Sequence, residues 1–263
     1  MHHTDNMGKN KLRKFAEMET LDCVFQFPYG TLHEGGCPLR GRWREIYFKN
    51  DNPLVLELGC GKGEYAVGMG QHYRDINFIG VDIKGARMYT GAKWVEAMNL
   101  TNVAFLRTDI DLIEYMFAAG EVDELWLTFP DPQMKKVNKR LTGTRFLDRY
   151  RRVLTDGGIV HLKTDSPFLY TYTREVIRLN QLPLHADISD VHGDATRGTL
   201  PPDLATLDTI KTYYEHQWMS RGLTIKYLEF SLPHDIALVE PDIEIEFDTY
   251  RSFHRGHVQT DNP

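Results

Sequence analysis

The chain contains no run of 18 apolar residues, and its opening segment MHHTDNMGKNKLRKF has none of the hydrophobic stretch that a secretory leader needs. Neither a membrane span nor export is expected, and the cytoplasm is the expected compartment. Cysteine is scarce: Cys23, Cys37 and Cys60 are odd in number and too widely spaced for a CxxC pair. That argues against both a disulfide framework and a thiolate metal site. His254 and His257 have HxxH spacing, but no acid or cysteine nearby completes a ligand set, so no metal is expected. No GxxxxGK[ST] occurs, which excludes a P-loop, and there is no internal repeat or low-complexity tract.

What is present is enough for a full core: 263 residues with 41% hydrophobic content fit one large domain with appendages. The net charge of −6 is uneven. Asp235, Glu240, Asp242, Glu244, Glu246 and Asp248 sit in a segment without Lys or Arg, and outside them the chain is neutral. Residues 131–152 hold eight basic groups against Asp131 and Asp148, and Lys9, Lys11, Arg13 and Lys14 cluster near the start. Basic runs beside a candidate site favour a polyanionic partner.

Between about residues 53 and 165, short apolar segments alternate with amphipathic ones, the pattern of a doubly wound, mostly parallel α/β sheet. Strands are expected at 53–59, 77–83, 102–109, 123–129, 158–165 and 223–232. Helices are expected at 63–73, 84–98, 110–119, 143–154, 167–180 and 210–221, with Asn99 and Gly157-Gly158 as stop signals. Residues 183–208 read as a connection holding at most one short strand. After Pro233, Ile243, Ile245 and Phe247 alternate with acids, which suits a half-buried edge strand.

In an open α/β sheet the ligand crevice lies beyond the carboxyl ends of the strands. The first strand ends in Glu57-Leu58-Gly59-Cys60-Gly61-Lys62-Gly63, and the second ends in Asp82. Gly59 and Gly61 let a ligand approach the backbone closely, and Asp82 is placed to accept from ribose hydroxyls. Glu64 stands where a dinucleotide fingerprint has glycine or alanine, and Glu57 and Glu64 would repel a pyrophosphate. A ligand with an amino group and a sulfonium suits them better, so S-adenosylmethionine is favoured over NAD. Asp109 either accepts from an adenine amino group or caps the next helix. Asp131, between Pro130 and Pro132, is a carboxylate held stiffly at a strand end.

ELGCGKG at 57–63, FIGVDI at 78–83, FPDP at 129–132, the basic loop ending Lys139-Arg140, KTD at 163–165 and TYYE at 212–215 occur in that order over about 50–230. Together they resemble the bacterial tRNA (guanine-N7-)-methyltransferase family. The resemblance implies a Rossmann-like S-adenosylmethionine-dependent methyltransferase fold over 50–232. Outside the region of resemblance lie a basic N-terminal extension at 1–49, a candidate RNA contact by its charge, and an acidic extension at 233–263. The resemblance implies S-adenosylmethionine at Glu57, Asp82, Asp109 and Asp131, beside the loop glycines Gly59 and Gly61 already read as cofactor-binding, with Asp131 also as the catalytic position. It further implies tRNA contacts from Lys135, Asp165, Thr212, Tyr213, Tyr214 and Glu215, with Arg140 added by the charge of the loop, and methylation of the variable-loop guanine at position 46. Phe129 and Tyr213 are candidates to stack on an extruded base. Two departures stand out: Gln133-Met134-Lys135 replaces the family's Trp-Pro-Lys, and Val137-Asn138 stands where Arg-His is usual in a loop about two residues longer. Another methyl acceptor, or a non-catalytic tRNA-binding protein of the same fold, are the alternative readings, and both monomer and homodimer remain open.

Overall fold

A computed structural model describes residues 13–14, 16–30, 32, 36–193, 200 and 204–249. Lys9, Lys11, His254 and His257 lie outside the described residues.

Among the described residues eight strands form one sheet: β1 (Val24–Gln26), β2 (Leu54–Leu58), β3 (Asn77–Asp82), β4 (Val103–Arg107), β5 (Val122–Thr128), β6 (Leu154–Thr164), β7 (Leu184–Ile188) and β8 (Lys226–Leu232). Their order is β1-β4-β3-β2-β5-β6-β8-β7. All pairs from β1 to β6 are parallel, while β8 runs antiparallel to β6 and β7 antiparallel to β8. β2 is buried at every position, as a parallel strand covered on both faces must be. Its side chains alternate between two cores: Leu54, Leu56 and Leu58 join one, with Ile79 and Leu106, and Val55 joins the other, with Phe78 and Phe105. The fold is therefore a doubly wound α/β sheet of the Rossmann-like kind.

The helices are α1 (Glu64–His72), α2 (Gly85–Ala97), α3 (Ile113–Met116), α4 (Thr144–Tyr150), α5 (Pro167–Leu179), α6 (Thr206–Thr209) and α7 (Tyr213–Met219). α5 shows why they form. The Ser166 hydroxyl caps it by accepting from the Leu169 amide at 2.9 Å, Pro167 occupies its first turn, and Phe168, Leu169, Tyr172, Thr173, Val176 and Ile177 bury one face.

The segments flanking the sheet do not stand apart from it. β1 adds a parallel edge strand beside β4, and a π-helical turn at Trp43–Phe48 buries Trp43 completely, its indole N–H donating to the Met116 carbonyl at 3.0 Å. Glu121 fastens this segment by accepting from the Gly41 and Trp43 amides at 2.7 and 3.1 Å. The acidic segment after β8 makes no strand; residues 235–248 run without ladder pairing and are held by side-chain hydrogen bonds. The helix expected at 110–119 is a single 3₁₀ turn, Ile110–Leu112, followed by the four-residue α3, because Phe117 turns extended to bury its ring. Gly157 with φ of 72° stops no helix but lies inside β6, where the register with β5 shifts. All three cysteines are free and buried.

Phe105 fixes the loop after β2. A Cβ on Gly63 would lie 2.3 Å from the ring, and Gly63 itself has φ of 74°. Gly63→Ala is expected to cost about 2–4 kcal/mol in urea unfolding, from a left-handed residue and an overpacked ring together. A loss well under 1 kcal/mol would show that the loop yields instead.

Candidate active site

The strand order reverses between β2 and β5, so the crevice opens beyond their carboxyl ends. The Gly59 and Cys60 amides donate to the Val81 carbonyl at 2.7 and 3.1 Å, which folds the glycine loop across the end of β3. Gly59 and Gly61 have φ of 80° and 58°, and a Cβ on either would meet nothing within 4 Å. The loop is thus an open cradle on the side away from Phe105, with room for a bound group against bare backbone.

Four carboxylates expected as ligands lie at or just past the ends of the neighbouring strands β4, β3, β2 and β5, spread over roughly 14 Å at the usual strand spacing. Glu57 is buried and bridges three elements, accepting from the Thr128 hydroxyl of β5 at 2.5 Å and from the Ala66 amide of α1 at 2.9 Å. Asp82 accepts from the Gly61 and Lys84 amides at 2.9 and 2.7 Å, so it shapes the glycine loop. Exposed Asp109 accepts from the Asp111 amide at 3.0 Å, the capping role of its two readings. Exposed Asp131 accepts from the Gln133 amide at 3.1 Å.

The turn that presents Asp131 is strained. Phe129 has φ of 50° and Gln133 has φ of 46°, both in the left-handed region that bulky residues avoid. The Phe129 amide still donates to the Lys163 carbonyl at 2.8 Å, so the ladder with β6 holds the chain up to the bend. Pro130 is buried and Asp131 is the first exposed carboxylate beyond it.

The basic stretch after Asp131 divides by function. Arg140 is buried and donates to the Gln133 and Met134 carbonyls at 3.2 and 2.7 Å, its guanidinium lying 4.8 and 4.4 Å from the Phe168 and Tyr172 rings. It builds the loop, and the direct RNA contact expected of it conflicts with that burial. Arg145 and Arg149 pair with Asp111 and Glu114 at 2.6 Å each, and Arg152 reaches Glu114 and Asp148 at 3.1 and 2.6 Å. Arg151 pairs with Asp148 as well. Lys135, Lys136 and Lys139 are exposed and, among the described residues, have no ion-pair partner.

The TYYE segment is mostly interior. Thr212 caps α7 in a reciprocal box with Glu215, and both are buried. Glu215, fully buried, pairs with the fully buried Lys163 ammonium at 2.8 Å and with His192 Nε2 at 2.7 Å, and His192 Nδ1 meets Asp208 at 2.9 Å. Lys163 also donates to the Leu207 carbonyl at 2.7 Å. Burial pulls the Lys163 ammonium below the ordinary lysine range, and Glu215 opposes that pull. A carboxylate so enclosed cannot reach RNA, and the direct contact expected of Glu215 conflicts with that burial. Asp165 is likewise buried. Tyr213 is exposed; its amide donates to Glu64 at 3.2 Å and its ring lies 4.5 Å from the Lys62 ammonium. Tyr214 is half-buried against it. His192 and Asp208 fall in the stretch that sequence patterning leaves as a connection, and no local signal marks them.

Among the described residues, no three His, Cys, Asp or Glu side chains could jointly hold a metal, and no helix is long and apolar enough to cross a membrane.

Residues 51–228 match the family profile described as "Putative methyltransferase". The tRNA (guanine-N(7)-)-methyltransferase of Porphyromonas gingivalis is 57% identical over 242 residues, covering 91% of this chain and 97% of the relative. This chain belongs to the tRNA (guanine-N(7)-)-methyltransferase family. The member from Bacteroides thetaiotaomicron is 54% identical, covering 95% of this chain and 96% of its own, and that from Streptococcus suis is 33% identical over 72% of this chain and 85% of its own. Among solved structures, the 16S rRNA (adenine(1408)-N(1))-methyltransferase from Catenulisporales acidiphilia superimposes with a TM-score of 0.51 at 16% identity, covering 76% of this chain and 94% of that one. The antibiotic-resistance methyltransferase Kmr does so at 0.50 and 18%, covering 72% and 91%. Such likenesses carry the fold alone.

Burial pushes the Glu57 carboxyl up to about 7; the Thr128 and Ala66 bonds oppose this, and the Glu64 and Asp82 charges add to it. The folded protein then holds this proton more tightly than the unfolded chain does. Stability of the ligand-free protein should therefore fall as pH rises from about 4.5 to about 7, by at most about 3 kcal/mol from this group. Glu57→Gln should flatten that part of the profile in urea unfolding across the range. An identical profile in the variant would refute the assignment.

Proposed function

We propose that this protein transfers a methyl group from S-adenosylmethionine to N7 of a guanine in tRNA, the variable-loop guanine at position 46 that the family resemblance implies. The observation that carries the reading is the juxtaposition, beyond the carboxyl ends of the central strands, of an open glycine cradle, the strained turn presenting Asp131, and three lysines that have no ion-pair partner among the described residues. The identity of 57% with a relative bearing that activity's name supports the choice of acceptor.

When bound, S-adenosylmethionine supplies an electrophilic methyl group on a sulfonium. Gly59 and Gly61 leave the backbone bare for it, Asp82 and Asp109 offer carboxylates to its ribose and adenine, and the acids nearby suit its ammonium and sulfonium charges. Guanine N7 carries a lone pair and no proton at neutral pH, so Asp131 has no proton to remove. Its carboxylate accepts from the guanine N1 and N2 hydrogens and balances the positive charge that grows on the ring as N7 is alkylated. Holding the nucleophile in line supplies much of the remaining rate. Tyr213, 55% exposed, offers a ring face for a base turned out of the RNA. Lys135, Lys136 and Lys139 meet the phosphates. Another acceptor, or a non-catalytic tRNA-binding protein, are the outcomes that would replace this reading.

Incubation with labelled cofactor and unmodified tRNA, followed by nucleoside mass spectrometry, should yield 7-methylguanosine. Asp131→Asn should lose about 10²-fold in rate while calorimetry still detects cofactor binding. Full activity in that variant would rule out the charge role, and no labelled 7-methylguanosine from the wild type would rule out the reaction.

The same reading fixes a salt dependence. Lys135→Ala should weaken tRNA binding and reduce the slope of log affinity against log salt by about 0.7–0.9 for one lost phosphate contact. An unchanged slope moves the RNA site away from this loop.

A further inference from the structure

Only two of the six acids between 235 and 248 turn inward. Asp235, Asp242, Glu244 and Glu246 are exposed, whereas Glu240 is half-buried and Asp248 is buried. Glu240 accepts from the Thr144 hydroxyl at 2.7 Å and the Thr144 amide at 3.3 Å at the start of α4, and its other oxygen accepts from the Tyr172 hydroxyl. Asp248 accepts from the Phe168 amide at 3.0 Å and from the Ser166 hydroxyl at the start of α5, and its own amide meets the Met134 sulfur at 3.1 Å. Along the way the Val239 amide and carbonyl pair with the Asn180 side chain at 2.6 and 2.9 Å, and Arg151 donates to the Ile236 carbonyl at 2.5 Å.

These anchors converge on Arg140. The loop over 133–140 has no strand partner; it consists of turns, with the Lys136 and Arg140 amides donating to the Gln133 and Val137 carbonyls at 2.9 Å each. Arg140 ties its two ends together and is itself held between the Phe168 and Tyr172 rings. One of those two residues is bonded through its amide to Asp248, the other through its hydroxyl to Glu240. Gly143 closes the remaining side: a Cβ there would stand 3.1 Å from both the Tyr172 hydroxyl and the Arg140 carbonyl, so this part of the assembly has little slack.

We propose that the acidic segment after β8 is a positioning strap for the loop that follows Asp131. Through Glu240 and Asp248 it fixes the Arg140 stack, and so holds Lys135, Lys136 and Lys139 at a set distance from the Asp131 carboxylate. Neither acid touches the reacting atoms; both act through α5 and Arg140. The strap also supplies an anchor where the loop carries Gln133-Met134 in place of Trp-Pro, because Met134 is the residue that Asp248 meets. The effect on RNA rests on the reading of the lysines given above, whereas the effect on loop order does not.

Hydrogen–deuterium exchange on the full-length ligand-free protein tests the strap directly. In Glu240→Gln/Asp248→Asn, exchange of amides 133–140 should speed up at least tenfold, on the scale of losing the loop's local protection, with the β2–β5 amides unchanged. KM for tRNA should rise about fivefold or more, while kcat and cofactor affinity change by less than about twofold, because only the placement of RNA is loosened. Glu244→Gln, an exposed acid on the same segment, should change none of these. If the double variant does not fold, Tyr172→Phe, which keeps the ring and removes the hydroxyl that Glu240 holds, is read in the same way. Unchanged exchange over 133–140 overturns the strap. Faster exchange with an unchanged KM overturns its role in presenting RNA, provided that Lys135→Ala raises KM in parallel. If Lys135→Ala has no effect either, the RNA reading of the loop is what fails, and the exchange rates alone decide the strap.

Discussion

The Glu57 carboxylate, buried where the strand order reverses, joins the three elements between which the crevice opens. It belongs to β2, accepts from the Thr128 hydroxyl of β5 and accepts from the Ala66 amide in the first turn of α1. Removing a carboxylate from water is costly, and the two donors only partly offset it, which is why its proton is held so tightly in the absence of a cationic partner. A cofactor bearing positive charge would relieve that cost, so the same residue that aligns the crevice also makes it receptive to a cation. Around it, Phe105 fills the space beneath the glycine loop and forces the loop's open side outward.

The sheet was legible because parallel strands buried on both faces write continuous apolar runs. β2 to β6 and β8 were expected within a few residues, and the glycine loop, Asp82 and the FPDP turn marked the strand ends that matter. β1 was not legible: its three residues are all half-buried and carry no period. The isoleucines and phenylalanine alternating with acids after Pro233 suggested a strand, but the inward acids found hydroxyls and amides on α4 and α5 in place of a ladder. Alternation records which side chains face the protein and says nothing of whether a neighbouring strand is available.

Charge was the least legible feature. Eight basic residues in one stretch look alike in a sequence, yet four arginines answer Asp111, Glu114 and Asp148, and a fifth is sealed between two rings. Partners 34 to 38 residues away answer Arg145, Arg149 and Arg152, Asp148 answers Arg151 from one turn earlier, and among the described residues Lys135, Lys136 and Lys139 are left without an ion pair. Arginine's planar fork suits the paired and stacked positions, and lysine's hydrated ammonium suits the open ones. In the same way, the late TYYE segment reads as a surface motif until Lys163 and His192 enclose its glutamate.

Tyr213 borders the glycine loop: its amide is held by Glu64 at the foot of that loop, and its ring rests against Lys62 within it. Whatever settles the loop also settles the ring, and the converse holds with equal strength. Thermodynamic reciprocity then makes any gain in guanine affinity caused by the cofactor equal to the gain in cofactor affinity caused by the guanine. If the proposed donor sits on the loop and the proposed base on the ring, each would sense the other through Glu64 and Lys62, with no movement of the sheet.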